Sequence, residues 1–320
     1  MKKLLIGVGV VVVLVLLLVG GALGYLFLAL PDAGEVPQLV VEGSPAEVER
    51  GRYLAHGVAA CMGCHSTRDW TVFTAPLVPG TEGAGGEEWR EEGLGFLVAS
   101  NITPSRIGDW SDGELYLAIT GGVTPDGVAL FPLMPYPDYG RMDTEDIGAI
   151  IAYLRTLAPI ENDLPERALG GPLPLIVRMM PSPPEPGDRP APGSPGYGEY
   201  LTTFAACTHC HTLSDKGKPL EGMEFAGGFE ATMMDGTVVR SANITPHETT
   251  GIGMWSEQIW LTRFGAYAPG KGRQSVAAAG RTTNMPWTFY AQMTDEDLAA
   301  IYDHLMTYPA VDHQVDKFPK

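Results

Sequence analysis

The sequence predicts a mainly α-helical protein, with two tandem copies of one small helical unit behind an N-terminal transmembrane helix. Three observations predict this. An apolar run opens the chain, a set of short motifs occurs twice in the same order, and apolar residues at helical spacing close each copy. No convincing run alternates as a half-buried strand would, so a sheet is not expected.

The first element is the apolar run. Lys2 and Lys3 precede residues 4–30, which carry no charge. As a helix at ~1.5 Å per residue this run is roughly 40 Å long, enough for a ~30 Å hydrocarbon core. A cleavable signal peptide has a shorter apolar region, about 7–15 residues, ending in a small-x-small site. Leu28-Ala29-Leu30-Pro31-Asp32-Ala33 is a poor site of that kind. An uncleaved single-pass anchor over residues 1–31 is therefore expected. The two lysines then stay in the cytoplasm and everything after Pro31 lies outside, on the periplasmic face of the inner membrane.

The next elements carry the chemistry. Cys61-Met62-Gly63-Cys64-His65 and Cys207-Thr208-His209-Cys210-His211 are both C-x-x-C-H, the attachment signature of a c-type haem. On one helical turn residues i and i+3 share a face, so both thiols reach the two haem vinyl groups. The His at i+4 lies on that face and can place a ring nitrogen on the iron. All four cysteines of the chain fall in these motifs. A disulfide needs no His after the second Cys, and a structural zinc site needs four ligands from one cluster. The motifs begin far apart, at positions 61 and 207, and each brings its own His. The expectation is two covalently bound haem c groups, linked through Cys61, Cys64, Cys207 and Cys210, with His65 and His211 on the irons.

Aligning the two motifs aligns much else. Gly51-Arg52-Tyr53-Leu54 recurs as Gly198-Glu199-Tyr200-Leu201, and Asn101-Ile102-Thr103-Pro104 as Asn243-Ile244-Thr245-Pro246. Gly108-Asp109-Trp110-Ser111 recurs as Gly253-Met254-Trp255-Ser256, and Met134-Pro135-Tyr136 as Met285-Pro286-Trp287. Met142-Asp143-Thr144-Glu145-Asp146 recurs as Met293-Thr294-Asp295-Glu296-Asp297. Two domains follow, 45–158 and 196–312, of ordinary domain size. Residues 159–195 form a linker rich in proline and glycine, extended and fairly stiff. Within it, residues 173–180 are apolar enough to lie against one of the domains.

Inside each copy a helix leads into the haem motif and a long glycine-rich loop follows. Ser111, with Glu114 three residues later, is a capping-box pattern; its counterpart Ser256, followed by Ile259, keeps only the cap. The last helix carries Ile147, Ile150, Ile151, Leu154 and Leu157 in the first copy, and Leu298, Ile301, Tyr302 and Leu305 in the second. That three-and-four spacing is the mark of an amphipathic helix.

A haem iron held by one His has a sixth position, and Met there raises the reduction potential and favours electron transfer. Each copy offers two repeated candidates, Met134 and Met142 in the first and Met285 and Met293 in the second. Asp143 and Thr294 read as helix N-caps, which puts Met142 and Met293 at N′, facing Ile147 and Leu298 at N4 in a hydrophobic staple. These two are packing residues. Met134 and Met285 sit in proline-flanked loops, where the fixed backbone would hold a sulfur over the open haem face. They are the expected distal ligands.

The remaining histidines, His56, His209, His247, His304 and His313, read as packing or surface residues or carry no signal. Trp110 and Trp255 recur at matched positions, either as indole donors to haem propionates or as plain core. Asn101 and Asn243 read as bonding loop backbone near the haem edge. Net charge is −17, which excludes nucleic acid as a partner. The charge either steers a basic redox partner or only keeps the domains soluble.

The order C-x-x-C-H, Asn-Ile-Thr-Pro, Gly-x-Trp-Ser, Met134-Pro135-Tyr136-Pro137-Asp138-Tyr139 and Met-x-x-Glu-Asp resembles class I cytochrome c. The longer pattern resembles the cytochrome c subunits of membrane-bound quinoprotein alcohol dehydrogenases and of flavin-dependent gluconate or sorbitol dehydrogenases. That family usually carries three haem motifs and a cleaved signal; this chain has two motifs and reads as anchored. The resemblance implies His65 and His211 as proximal ligands, Met134 and Met285 as distal ligands, and four thioether cysteines. It implies single-electron transfer, with no catalytic step by the chain itself. The partners implied are redox proteins: a membrane-bound dehydrogenase, or a respiratory or photosynthetic complex. The alternative is a dihaem cytochrome c peroxidase, which needs an iron with an open sixth position.

Overall fold

A computed structural model describes residues 2–91, 93–215, 217–233, 236–271 and 273–319. It is mainly helical. Helix α1 (Lys2–Leu28) is a single 27-residue apolar helix with none of its residues buried. By length and composition it can cross a bilayer. The chain then runs extended along the first half. Ala33 is buried, and the Val41 amide donates to Asp112 Oδ2 at 2.9 Å. The exit of α1 is thereby fixed to the body.

The first half follows the expected order. Helix α2 (Pro45–Tyr53) starts from a Ser44–Glu47 capping box, and α3 (Cys61–Cys64) carries the first motif. The glycine-rich loop after it leads through α4 (Pro104–Ile107) to α5 (Asp112–Gly121), which opens on the Ser111–Glu114 box read from the sequence. A short α6 (Tyr136–Tyr139) and the capped α7 (Thr144–Thr156) complete it. Residues 159–195 then run over the first half and include the turn α8 (Leu173–Ile176).

The second half repeats most of the plan with α9 (Tyr197–Phe204), α10 (Cys207–His211), α11 (Glu257–Gly265), α13 (Trp287–Tyr290) and α14 (Asp295–Leu305), lacks a counterpart of α4 among the described residues, and adds the turn α12 (Val276–Ala279). Ser256 caps α11 without a box, as expected.

In both halves the helix before the motif crosses the last helix at a glycine. A Cβ on Gly51 would sit 1.7 Å from the Ala149 carbonyl oxygen, and one on Gly198 would sit 2.1 Å from that of Ala300. Only glycine lets the backbones approach this closely. Met142 and Met293 are buried beside Ile147 and Leu298 in one continuous apolar core, as the staple predicts.

Two expectations are corrected. Small antiparallel ribbons do form: β1 (Glu88–Glu91), β2 (Gly95–Val98) and β3 (Ala168–Leu169) in one sheet, with the pairs β4 (Ser214–Asp215) and β5 (Lys218–Pro219), and β6 (Glu230–Thr232) and β7 (Val238–Arg240). Strands of two to four residues are too short to show alternation in sequence. Residues 173–180 do not lie against the body as a whole. Val177 alone is buried there, while Leu175, Ile176, Met179 and Met180 are exposed.

Candidate functional site

Each C-x-x-C-H string forms one helical turn, entered from an alanine in the left-handed region: Ala60 at φ 48° and Ala206 at φ 50°. The turn brings both sulfurs and the His to one side, as the spacing requires. Burial pushes the Cys61 and Cys207 thiols up to about 12. A redox-active C-x-x-C shows the opposite, a lowered thiol. Among the described residues no three His, Cys, Asp or Glu side chains gather into a metal-binding group. The second Cys of each pair lies nearer the surface than the first.

The two histidines are held alike. His65 Nδ1 lies 2.7 Å from the Ser100 carbonyl oxygen, and His211 Nδ1 lies 2.7 Å from that of Ala242. A carbonyl can only accept, so Nδ1 carries the proton and Nε2 keeps its lone pair, the arrangement of a metal-ligating His. Burial lowers the pKa of both rings despite the carbonyl bond, which favours that neutral form. Sequence reading missed these carbonyls. The signal was present, because both residues immediately precede the repeated Asn-Ile-Thr-Pro.

That string is itself a clamp. Asn101 Oδ1 accepts from the Thr103 amide at 2.8 Å, and its Nδ2 donates to the Ile160 carbonyl at 2.7 Å. Asn243 does the same with Thr245 at 2.9 Å and Val311 at 2.8 Å. Both asparagines bond loop backbone, as expected. The His-bearing carbonyl is thus fixed by the next residue.

In the second half Cys207, Cys210, His211, Trp255 and Met285 all line one cavity of about 1010 Å³, at the top of the ~300–1,000 Å³ range of small-molecule sites. This donor set in a largely apolar cavity fits a covalently attached haem. In the first half Met134 and Trp110 pack against the core at the matched positions. The buried Tyr136 hydroxyl, two residues after Met134, has no hydrogen-bond partner among the described residues, so it is open to a group that the protein does not supply.

The two motifs face each other. His209 Nε2 lies 2.6 Å from Asp138 Oδ2 of the other half. Burial first, and then the nearby Cys64, push the Cys210 thiol up to about 11. Tyr139 donates to the Ala59 carbonyl at 3.0 Å, and its counterpart Tyr290 donates to Ala205. His209 is therefore an interface residue. His56 bonds the Tyr153 hydroxyl at 2.7 Å, His247 that of Thr250 at 2.8 Å, and His304 packs edge-on against Tyr308. His313 Nδ1 bonds the Ala226 carbonyl at 2.9 Å.

No family model matches the chain. Similarity to individual proteins is extensive. The cytochrome c subunit of a quinone alcohol dehydrogenase from Komagataeibacter europaeus is 29% identical over 296 residues, covering 87% of this chain and 59% of that protein. Homologues of this chain include cytochrome c subunits of alcohol, gluconate and fructose dehydrogenases. The gluconate 2-dehydrogenase cytochrome c subunit of Pantoea cypripedii is 29% identical over 85% of the chain and 62% of its own length. A diheme cytochrome c-type protein of Cereibacter sphaeroides is 28% identical over 93% of the chain and 97% of its own length. The chain thus spans about three-fifths of the dehydrogenase subunits it matches and nearly the whole of the diheme cytochrome.

Proposed function

We propose that the chain is a dihaem cytochrome c, anchored in the inner membrane by residues 1–31, that passes single electrons at the periplasmic face. Residues 45–158 and 196–312 are read as two class I cytochrome c domains joined by residues 159–195. The observation that carries this reading is the repeated His with Nδ1 bonded to a backbone carbonyl, which leaves Nε2 with its lone pair, directly after a cysteine pair on one helical turn.

Two haem c groups, when bound, supply one-electron Fe(III)/Fe(II) chemistry. Cys61 and Cys64 would hold one and Cys207 and Cys210 the other. Ser100 and Ala242 keep the His65 and His211 rings turned and in one tautomer. Met134 and Met285 would each supply the second protein ligand to an iron, and Trp110 and Trp255 would contact propionates. The chain's own work is to attach, orient and shield, and to set two potentials through these ligands and their surroundings.

The relatives favour a carrier over a peroxidase. They also favour a dehydrogenase as the electron donor; a respiratory or photosynthetic complex is the other class of redox partner. Intact mass of the matured protein should exceed the chain mass by two haems. Met134→Ala and Met285→Ala should each remove the Met–iron absorption band of one haem and lower the potential of that haem. One haem per chain, or an unchanged spectrum in either variant, rejects the corresponding assignment. Purification in mild detergent tests the donor: co-isolation of a dehydrogenase supports it, and an isolated monomeric carrier refutes it.

A further inference from the structure

We infer that residues 172–180 form a second membrane contact, an apolar foot that rests in the bilayer interface beside α1 and sets the tilt of the haem-bearing body. The inference rests on reading α1 as the anchor. Its starting point is Arg178. The guanidinium donates to the carbonyl of Leu26 at 3.1 Å and to that of Leu30, and stands 5.7 Å from the centre of the Phe27 ring. The last carbonyls of a helix have no partner of their own and favour a cation. Arg178 therefore pins the 172–180 segment to the end of α1.

That attachment fixes the level of the foot. At ~1.5 Å per residue the helix is about 10 Å longer than a ~30 Å hydrocarbon core, so its terminal turns reach the headgroup region. Tyr25 and Phe27 are exposed on these turns, where aromatic side chains collect at a membrane surface. An arginine at this depth can keep its charge among headgroups while its stem lies in apolar surroundings.

The side chains around Arg178 suit the same place. Pro174, Leu175, Ile176, Met179 and Met180 are exposed, Met179 by 64%, while Val177 alone is buried as a peg into the body. Arg178 is the only charged residue between Arg167 and Glu185. In water this patch would be a contiguous apolar surface without a cover. The run of residues 33–41 along the first half prevents the body from swinging clear of the helix exit. The occupant is therefore the lipid of the membrane that α1 crosses.

The test uses the full chain in its native membrane, with the photocrosslinker p-benzoylphenylalanine placed singly at Met179, at Leu14 within α1, or at Met254, which is 71% exposed in the second half. All three side chains are exposed, so folding is not at stake. Lipid adducts at Leu14 and Met179 and none at Met254 are the expected result. A lipid adduct at Leu14 with a protein adduct, or none, at Met179 overturns the foot and leaves the anchor standing. No lipid adduct at Leu14 overturns the anchor reading and the foot with it, and a lipid adduct at Met254 overturns the selectivity claimed for the foot.

Discussion

Tyr200 donates a 2.7 Å hydrogen bond to Asp146 in the opposite half of the molecule. The bond is reciprocated: Tyr53, the counterpart of Tyr200 in the repeat, donates to Asp297, the counterpart of Asp146. Each carboxyl also takes a donor from its own half at one further repeated position. Arg50 reaches Asp146 through two bonds of 2.9 and 2.8 Å, and Tyr197 reaches Asp297 at 2.8 Å. The two halves therefore exchange tyrosines across an approximate twofold relation.

Removing the exchange should uncouple the halves. A hydrogen bond to a charged group contributes about 1.5–3 kcal/mol. Tyr53→Phe and Tyr200→Phe keep the rings and delete only the donors. Calorimetry should show one unfolding transition in the parent and each single variant, at a lower temperature in the variants. The double variant should resolve into two transitions. A double variant that still melts as one unit would show that apolar contact alone joins the halves.

Acid should loosen one side of this interface through Asp146. Burial opposes ionisation of this carboxyl, but the hydrogen bond and charge of Arg50, with Tyr200 and Arg189, outweigh it and hold the pKa below the usual value. A carboxylate lowered on folding stabilises above its unfolded value, ~3.9, and that contribution is lost as pH falls through the folded value. Asp146→Asn should therefore cost about 1.5–3 kcal/mol at pH 7. The gap to the parent should close as pH falls below ~4. Denaturant midpoints at pH 7 and in acid measure both ends; a gap that is constant with pH would place the effect outside ionisation.

Much of this could be read from the residues. The capping box at Ser111, the staples at Met142 and Met293 and the one-turn motifs depend on neighbours within a few positions, and all form as the spacing requires. The tyrosine exchange was not legible, because its partners are separated by 244 residues in one case and 54 in the other. Tyr53 and Tyr200 were noticed only as part of a repeated string, with nothing to show that they look outward to the other copy. Within residues 173–180 only Val177 is buried; composition marks the segment as apolar without saying what covers it.

The glycine crossings give a test of opposite sign to ordinary helix propensity. Gly→Ala in a helix is worth about 1 kcal/mol in favour of folding. At Gly51 and Gly198 the added methyl would collide with the Ala149 or Ala300 carbonyl. Gly51→Ala and Gly198→Ala should each destabilise by about 1–3 kcal/mol or more, as overpacking does. Thermal melts of the two variants read this directly, and a stabilised variant would mean that the crossing opens without strain.

The last prediction concerns control of one half by the other. Thr74 of the first half donates to the Met285 carbonyl at 2.8 Å and accepts from the Trp287 amide at 3.2 Å. It thus brackets the assigned ligand of the second haem. Thr74 is fully buried and sits at φ 64°, followed by Ala75 at φ 43°. Such a conformation for a β-branched residue costs of order 1–3 kcal/mol and persists only where neighbours enforce it. Arg68 supplies the enforcement by donating to the Thr74 and Ala75 carbonyls at 3.0 and 2.9 Å. Its guanidinium lies 4.5 Å from the Trp70 ring centre and 5.6 Å from that of Phe289 in the second half. Thr74→Val preserves shape and removes the hydroxyl. It should weaken the Met–iron band and shift the potential of the second haem alone, leaving the Met134 haem unchanged, and Thr74→Ser should restore both. Redox titration followed at the Met–iron band decides it: equal changes at both haems, or none at either, would show that the first half does not set the Met285 loop.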